Sequence, residues 1–575
     1  MKRSAPLAAL LALLLAAAAV APVAAATPSP TDGATAPPAD PETDVLGWED
    51  GYWYNESVSV TRSDGLNDTE LDAVVSRAMA RVEEVRRLEF AARPPVEVIG
   101  REAYADRIAG SFENVSTEER LFHDTLAEAR FFAGEGESWT ATLRELSAGG
   151  VGGFYSPSEE RIVVVSENTT TPRLNEIVLA QELMHALQFD FAENRSFGLT
   201  DEYEAAFGTG RMTTDRHNAY DAVIEGDGNY VDYIYRQRCD GSWDCLTVEQ
   251  AGGAGAVYDA GEWGAILTQY APYSDGPSFV REVYREGGWE AVNALYRNPV
   301  QSTEQLVHPE RYPDDAPRAV ALDDRSGGAW ERLVPPANGS LGGLPGMNAS
   351  HDTFGEAGMV SMFVAPGFPG GTETVFRRGA FLTGDDFDPY DYRFEATTGW
   401  DGDRIEVYVT DDSAATNETG YVWRSVWDSS ADAAAFADAY RELLSVRNAR
   451  PVAGAEDVYV VLDAGREPSF ADAFALRVEN DTVAVVNAPT LDALNGVRAG
   501  TVPDGLTRPT PTPTPTPYDF STATVTPTAT GTGTGTETAE ATATATETPG
   551  QPGFGALAVV TALAALVGLF GRRRA

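Results

Sequence analysis

Residues 508–550 set the first limit on what this chain can fold into. The stretch opens on alternating Thr-Pro, passes through Thr-Gly pairs and continues in Thr-Glu and Thr-Ala pairs. It holds too few apolar side chains to offset the entropy of ordering, so it is expected to stay unfolded. Its Pro-rich half is semi-rigid at ~3.1 Å per residue, so the tract can lift a folded body on the order of 100 Å. Dense threonine also suits O-glycosylation. Thr27 to Asp44 is a shorter tether rich in Pro, Ala, Thr and Asp. Folding is thereby confined to about 460 residues, which as a prior means two or three domains. No internal repeat divides them.

The chain carries 87 acidic against 42 basic residues, a formal net charge of −45. Lys2 is its only lysine; arginine fills every other cationic position. Such a surface repels itself in dilute buffer and is tolerated where salt screens it, the Debye length falling to ~3 Å at 1 M. Acid enrichment with lysine loss points to a halophile, since an ordinary acidic secreted protein keeps some lysine. The same field repels nucleic acid, so no nucleic-acid partner is expected.

Both ends read as targeting segments. Met1–Ala26 has Lys2 and Arg3, an apolar run from Leu7 to Val20, then Ala24-Ala25-Ala26. A charged start, an apolar middle and a small-residue cleavage site make a secretory signal. The other reading, an N-terminal anchor, lacks a stop-transfer pattern. A second apolar run, Gly555–Phe570, ends in Arg572-Arg573-Arg574. It covers roughly 24 Å at ~1.5 Å per residue, short of the ~30 Å hydrocarbon core but workable with local thinning. The arginines favour the cytoplasmic side and leave the body outside. Pro552-Gly553-Phe554 stands directly before this run. Motif, apolar helix and arginine cluster together resemble the sorting signal of haloarchaeal surface proteins. That resemblance implies processing by a sortase-like enzyme (an archaeosortase), replacement of the helix by a lipid, and a place in the cell envelope.

Nine Asn-x-Ser/Thr sequons suit an exported glycoprotein: Asn55, Asn67, Asn114, Asn168, Asn194, Asn338, Asn348, Asn417 and Asn480. The two cysteines, Cys239 and Cys245, predict a small disulfide loop outside the cell. Without histidines nearby they do not make a zinc site.

Residues 45–321 read mainly helical. Thr69–Phe90 repeats apolar residues at the 3–4 spacing of one buried helix face, through Leu71, Val74, Val75, Ala78, Val82, Val85 and Leu88. Val96–Ile99 and Arg161–Val165 read as strands, and 117–133, Leu174–Phe189 and 215–237 as helices. Residues 322–502 read as an α+β module. Its strands are Ile405–Val409, Gly420–Val426, Val458–Leu462, Ala475–Val478 and Val483–Val486, with a hairpin turn at Asn480-Asp481. Its helices are Asp432–Leu444 and Leu491–Val497. The fold class expected is α+β, with disordered tethers (27–44 and 503–551) inside the signal (1–26) and the sorting segment (552–575).

Residues 181–188 read Gln-Glu-Leu-Met-His-Ala-Leu-Gln. A zincin helix uses His-Glu-x-x-His because histidines at i and i+4 face one way and grip one metal, with the glutamate beside the metal-bound water as base. Glu182 and His185 are in register, but Gln181 replaces the first histidine. Glu225-Gly226-Asp227 follows forty residues after His185. With Gly153-Phe154-Tyr155, Ser302-Thr303-Glu304-Gln305 and His308-Pro309-Glu310, these segments resemble haloarchaeal surface proteins with a gluzincin-like (thermolysin-like) domain. The resemblance reaches toward Gly399–Arg404 and Trp423/Trp427. It implies His185 and Glu225 as metal ligands and Glu182 as catalytic base, while the first ligand does not carry over.

A glutamine amide oxygen is a neutral donor, whereas zinc prefers imidazole or thiolate. Two functional classes stay open. One is a non-catalytic surface component using a peptidase scaffold for binding or architecture, with no cofactor and with surface-layer or extracellular proteins as partners. The other is a membrane-anchored zinc metallopeptidase that recruits His308 or His217 as replacement ligand. The plainer readings make His308 a hydrogen-bonded turn residue, His217 an exposed residue ahead of a helix, and Trp400, Trp423 and Trp427 core packing rather than a ligand platform. Asp401 and Asp403 read as a tight turn rather than a calcium contact.

Overall fold

The computed structural model describes residues 37–61, 63–147, 151–157, 159–189, 212–247, 258–336, 350–368, 374–385, 387–462 and 469–509. The signal at 1–26, most of the linkers at 27–44 and 503–551, the sorting segment with Pro552, Gly553 and Phe554, and the sequons at Asn194, Asn338 and Asn348 lie outside them. Among the described residues no helix is long and apolar enough to cross a membrane.

The fold class is α+β. Helix α1 (Asp68–Arg86) begins at a capping box: the Asn67 side chain accepts from Glu70 N at 3.1 Å, and Glu70 accepts from Asn67 N at 3.0 Å. The apolar stripe that predicts α1 is only part of its buried surface. Arg77, Arg81, Glu83 and Arg86 are buried as well, because each finds a partner far along the chain. After a short hairpin of β1 (Trp48–Glu49) and β2 (Tyr52–Trp53), a parallel pair, β3 (Val96–Ile99) with β5 (Arg161–Val165), is extended on one side by antiparallel β4 (Gly153–Ser156). The three helices between β3 and β4 in sequence are α2 (Arg101–Ser111), α3 (Thr117–Ala129) and α4 (Trp139–Ser147). The single helix expected over 117–133 stops at Ala129, and Phe131 turns through φ +59°.

Helix α5 (Glu176–Phe189) packs on α1, β4 and α6 (Thr214–Gly241). Its first residue is its anchor. Glu176 is fully buried and accepts from Arg77 at 2.7 Å, Tyr235 Oη at 2.7 Å and Leu246 N at 2.8 Å, with Arg81 beside them. Leu246 follows the Cys239–Cys245 disulfide, so the expected cystine loop closes onto the start of α5. Helix α7 (Ala260–Leu295) lies along α6. Pro272 within it has no N–H to give back to Thr268, and Asn218 of α6 donates to that carbonyl at 2.7 Å instead. Gly226 and Gly276 sit where the two backbones meet; a Cβ on Gly226 would stand 2.6 Å from Gly276 O.

The C-terminal half is a seven-stranded antiparallel sheet in the order β6-β7-β8-β12-β11-β10-β9. The strands are β6 (Glu331–Arg332), β7 (Trp400–Val409), β8 (Gly420–Trp427), β9 (Ala449–Pro451), β10 (Val458–Val461), β11 (Ala473–Glu479) and β12 (Thr482–Ala488). The expected hairpin joins β11 to β12, with Asn480 at φ +54°. One face packs on α9 (Gly355–Val364) and α10 (Ser430–Val446), the other on α11 (Leu491–Val497). The core on the first face takes side chains from both sides of residue 321, including Leu121–Leu146 of α3 and α4 and Ala265–Tyr273 of α7. Residues that read as separate in sequence share one interior. Trp400, Trp423 and Trp427 are in it, each at most 1% exposed, so they are core rather than a binding platform.

Candidate metal centre

Helix α5 carries Gln181, Glu182 and His185, and α6 carries Glu225. The structure brings the last three together. His185 Nε2 lies 3.5 Å from Glu225 Oε2, and both side chains are buried. Gly228, one turn past Glu225, lies against the imidazole: a Cβ there would stand 3.2 Å from His185 Cε1, tighter than an ordinary contact. Glu182 is held from β4, its Oε2 accepting from Tyr155 N at 2.7 Å. Its second oxygen, Glu182 Oε1, is buried without a hydrogen bond, and Glu225 Oε2 has the His185 contact at 3.5 Å. The Tyr273 hydroxyl of α7 faces Glu225 without reaching hydrogen-bonding geometry.

A chain of hydrogen bonds fixes the imidazole. Arg86 Nε and Nη2 grip Asp227 at 2.9 and 3.0 Å; Tyr296 Oη donates to Asp227 at 2.6 Å; Gln188 Nε2 donates to Tyr296 Oη at 2.8 Å and to Ile224 O at 2.9 Å. With both amide protons so used, Gln188 can offer only its carbonyl to His185 Nδ1, 2.8 Å away. Nδ1 must therefore carry a proton, and Nε2 is the atom left to face Glu225. The three residues of Glu225-Gly226-Asp227 divide the work, since the first meets His185, the second lets α7 approach and the third anchors the chain of bonds.

Burial pulls the His185 imidazole down, but Glu225, Glu182 and the Gln188 bond outweigh it and push it up to about 9. Burial and the charge of Glu225 push Glu182 up to about 7, against the pull of His185 and the Tyr155 amide. A tetrahedral zinc with ~2.05 Å bonds to nitrogen and ~2.1 Å bonds to oxygen separates two donors by about 3.4 Å, close to the 3.5 Å seen. The pair, at that separation, fits a metal. The set of three does not: among the described residues no further His, Cys, Asp or Glu joins His185 and Glu225 within 4.8 Å. Gln181, half-buried, precedes His185 by one turn of the same helix.

The candidate replacement ligands part company. His308 ends α8 (Thr303–Val307) and lies with Glu356 at 3.2 Å and Glu310 at 3.6 Å, not with His185. The exposed position expected for His217 is corrected. It lies inside α6, 3% exposed, because Asp221 one turn on stands 3.0 Å from its Nδ1. Asp221 lies in the field of the centre without joining it: burial raises its pKa, His217 draws it back most, and Glu225 and His185 act on it in opposite senses. The sequence reading missed Asp221, Gln188, Asp227 and Tyr273. Asp221 at four residues before Glu225 was the one local signal available.

The other resembling segments are structural. Thr303 N and Oγ1 donate to Asp215 at 2.8 and 2.6 Å, bracing the start of α6. Asp403 is 4% exposed and accepts four bonds, from Phe354 N, Gly355 N, Trp400 Nε1 and Trp423 Nε1, all within 3.0 Å. Of the described sequons Asn67, Asn114, Asn168 and Asn480 are exposed, and Asn55 and Asn417 half-buried.

A domain of unknown function (DUF8575) matches residues 343–498, which hold α9 and most of the seven-stranded sheet. No curated protein and no solved structure matches the chain.

Proposed function

We propose that this chain is an exported cell-surface protein of a halophile, held at a membrane through its C-terminal segment. Its helical half is a gluzincin-like scaffold that has lost catalysis and serves binding or envelope architecture. The observation that carries this reading is the His185–Glu225 pair at 3.5 Å with glutamine at position 181. It is the remnant of a three-ligand grip, and the proton on His185 supplies the positive charge that a metal would. Glu182, the base in the resemblance, is tied to the Tyr155 amide. Apparent zinc affinities of ~10–16 kcal/mol in structural sites make the loss of one ligand among about three worth roughly 3–5 kcal/mol. A disulfide and the acid-rich, lysine-free body favour an exported, salt-bathed setting.

An active peptidase is the second reading, favoured by the survival of Glu182, His185 and Glu225 in register. Metal analysis of the protein purified in molar salt, with a peptide-cleavage assay, separates the two. The scaffold reading expects no stoichiometric zinc and no cleavage. One tight zinc that is lost on His185→Ala refutes it. Anchoring is tested apart, by mass spectrometry of the C-terminal peptides. Surface-exposed peptides that run through Arg572–Ala575 would show that the segment is not removed.

A further inference from the structure

Away from that centre, the described residues hold two places where three acidic side chains bring oxygens within 4.8 Å of one another. One is already filled by a cation: Arg311 Nη1 stands 2.9, 2.7 and 2.8 Å from Glu304, Asp315 and Asp428. The other joins Glu128 at the end of α3, Glu135 in the turn that follows, and Asp472 immediately before β11. Among the described residues no arginine forms an ion pair with any of these three. Arg447, packed on the rings of Phe131 and Phe470, donates to the Phe131 carbonyl instead.

A second observation points into the same place. Asn487 pairs with Tyr421 on one side and with Phe474 on the other. Asp472 stands two residues before Phe474, so Tyr421, Asn487 and Asp472 project from one face of the sheet. That face is covered by α3, where Thr125 Oγ1 meets Thr419 Oγ1 at 2.7 Å, just before Glu128 and Tyr421 in their elements. Asn487 Nδ2 donates to Asp472 Oδ2 at 2.8 Å. The Tyr421 hydroxyl is fully buried and lacks a hydrogen bond. It lies beside the Tyr440 hydroxyl out of bonding geometry, within the field of Glu128 and Asp472. A buried polar atom left unmade costs about 1–3 kcal/mol, which calls for a ligand.

We propose that Glu128, Glu135 and Asp472 form a calcium site that ties α3 and its following turn to the seven-stranded sheet. All the donors are oxygen, the preference of a hard cation, and no nitrogen or sulfur is present to favour zinc. Oxygens this close together can all reach one ion at calcium's ~2.3–2.6 Å. Glu128 and Glu135 are half-buried while Asp472 is 2% exposed, so one side stays open for entry and for waters. Burial raises the pKa of all three carboxyls, and at Glu128 and Glu135 the neighbouring acids add to it.

The test is calorimetry on the full-length protein, stripped with chelator and held in molar potassium chloride at pH 7. Calcium chloride is titrated, and the expected result is one calcium per chain and a raised melting temperature. Glu135→Gln, a change in a half-exposed turn residue that leaves the packing intact, should weaken calcium at least tenfold. Glu128→Gln with Asp472→Asn should abolish the specific step while circular dichroism stays unchanged. An isotherm shared by wild type and Glu135→Gln overturns the proposal, as does magnesium binding equally well.

Discussion

Restoring the missing imidazole by Gln181→His probes the metal centre most directly, and two magnitudes follow from its geometry. Zinc needs the lone pair on His185 Nε2, the atom that faces Glu225 at 3.5 Å. With the imidazole pushed up to about 9, zinc at pH 7 must displace a proton. Two pH units at ~1.36 kcal/mol each amount to about 2.7 kcal/mol, or a hundredfold in affinity. Zinc affinity should therefore rise about tenfold per pH unit from 7 toward 9 and then level off. The substitution adds a second imidazole one turn before His185, and about 3–5 kcal/mol of recovered ligation is on the order of 10²–10⁴ in affinity. Wild type and variant should follow parallel pH lines at least two decades apart. The assay is a competition titration of zinc against a chelator of known affinity, in molar salt, at pH 7, 8 and 9, with His185→Ala in the variant as control. If the variant binds no better than wild type, position 181 does not look at the metal and the gluzincin geometry is wrong. A flat pH dependence would instead refute the protonated His185–Glu225 pair. Restored binding does not require restored activity, since a peptidase also needs separate donors for its transition state.

Three further outcomes are expected. The protein should lose helical circular dichroism as salt is diluted from molar toward ~0.1 M, where the Debye length reaches ~10 Å; an unchanged melting temperature across that range would count against a halophilic surface. Asp403→Asn presents an NH₂ to two of the four donors that now meet a carboxylate, costing about 2–6 kcal/mol at ~1–3 per unmade buried bond; denaturant melts followed by tryptophan fluorescence measure it, and a loss under about 1 kcal/mol refutes the hub. Burial, then repulsion between the two side chains, raises Glu49 to about 10, and burial raises Glu83 to about 7. The unfolded chain thus releases these protons first, and stability should fall as pH rises from about 4.5 to about 10; Glu49→Gln should flatten that slope, and an unaltered slope in the variant places the titration elsewhere.

Local signals were legible because they act within a turn or a pleat. The 3–4 apolar spacing over Thr69–Phe90 gives α1, and alternation on either side of Asn480-Asp481 gives the β11–β12 hairpin. The resemblance to a gluzincin-like domain, carried on Glu182-Leu183-Met184-His185 and on Glu225, implied these three residues as one candidate group. What the sequence could not say was which charges go inside. Arg77, Arg86, Asp227 and Asp403 look like surface residues, and His217 looks like a helix lead-in. A buried charge is stable only against a partner, and here the partners lie far off: Glu176 is 99 residues from Arg77, and Asp227 is 141 from Arg86. The same holds for Gln188, whose tautomer-setting role exists only through Tyr296, 108 residues away. Composition fixed how acidic the protein is. Tertiary packing decided that three of those acids, Glu128, Glu135 and Asp472, converge where only a proton or a cation can stabilise them.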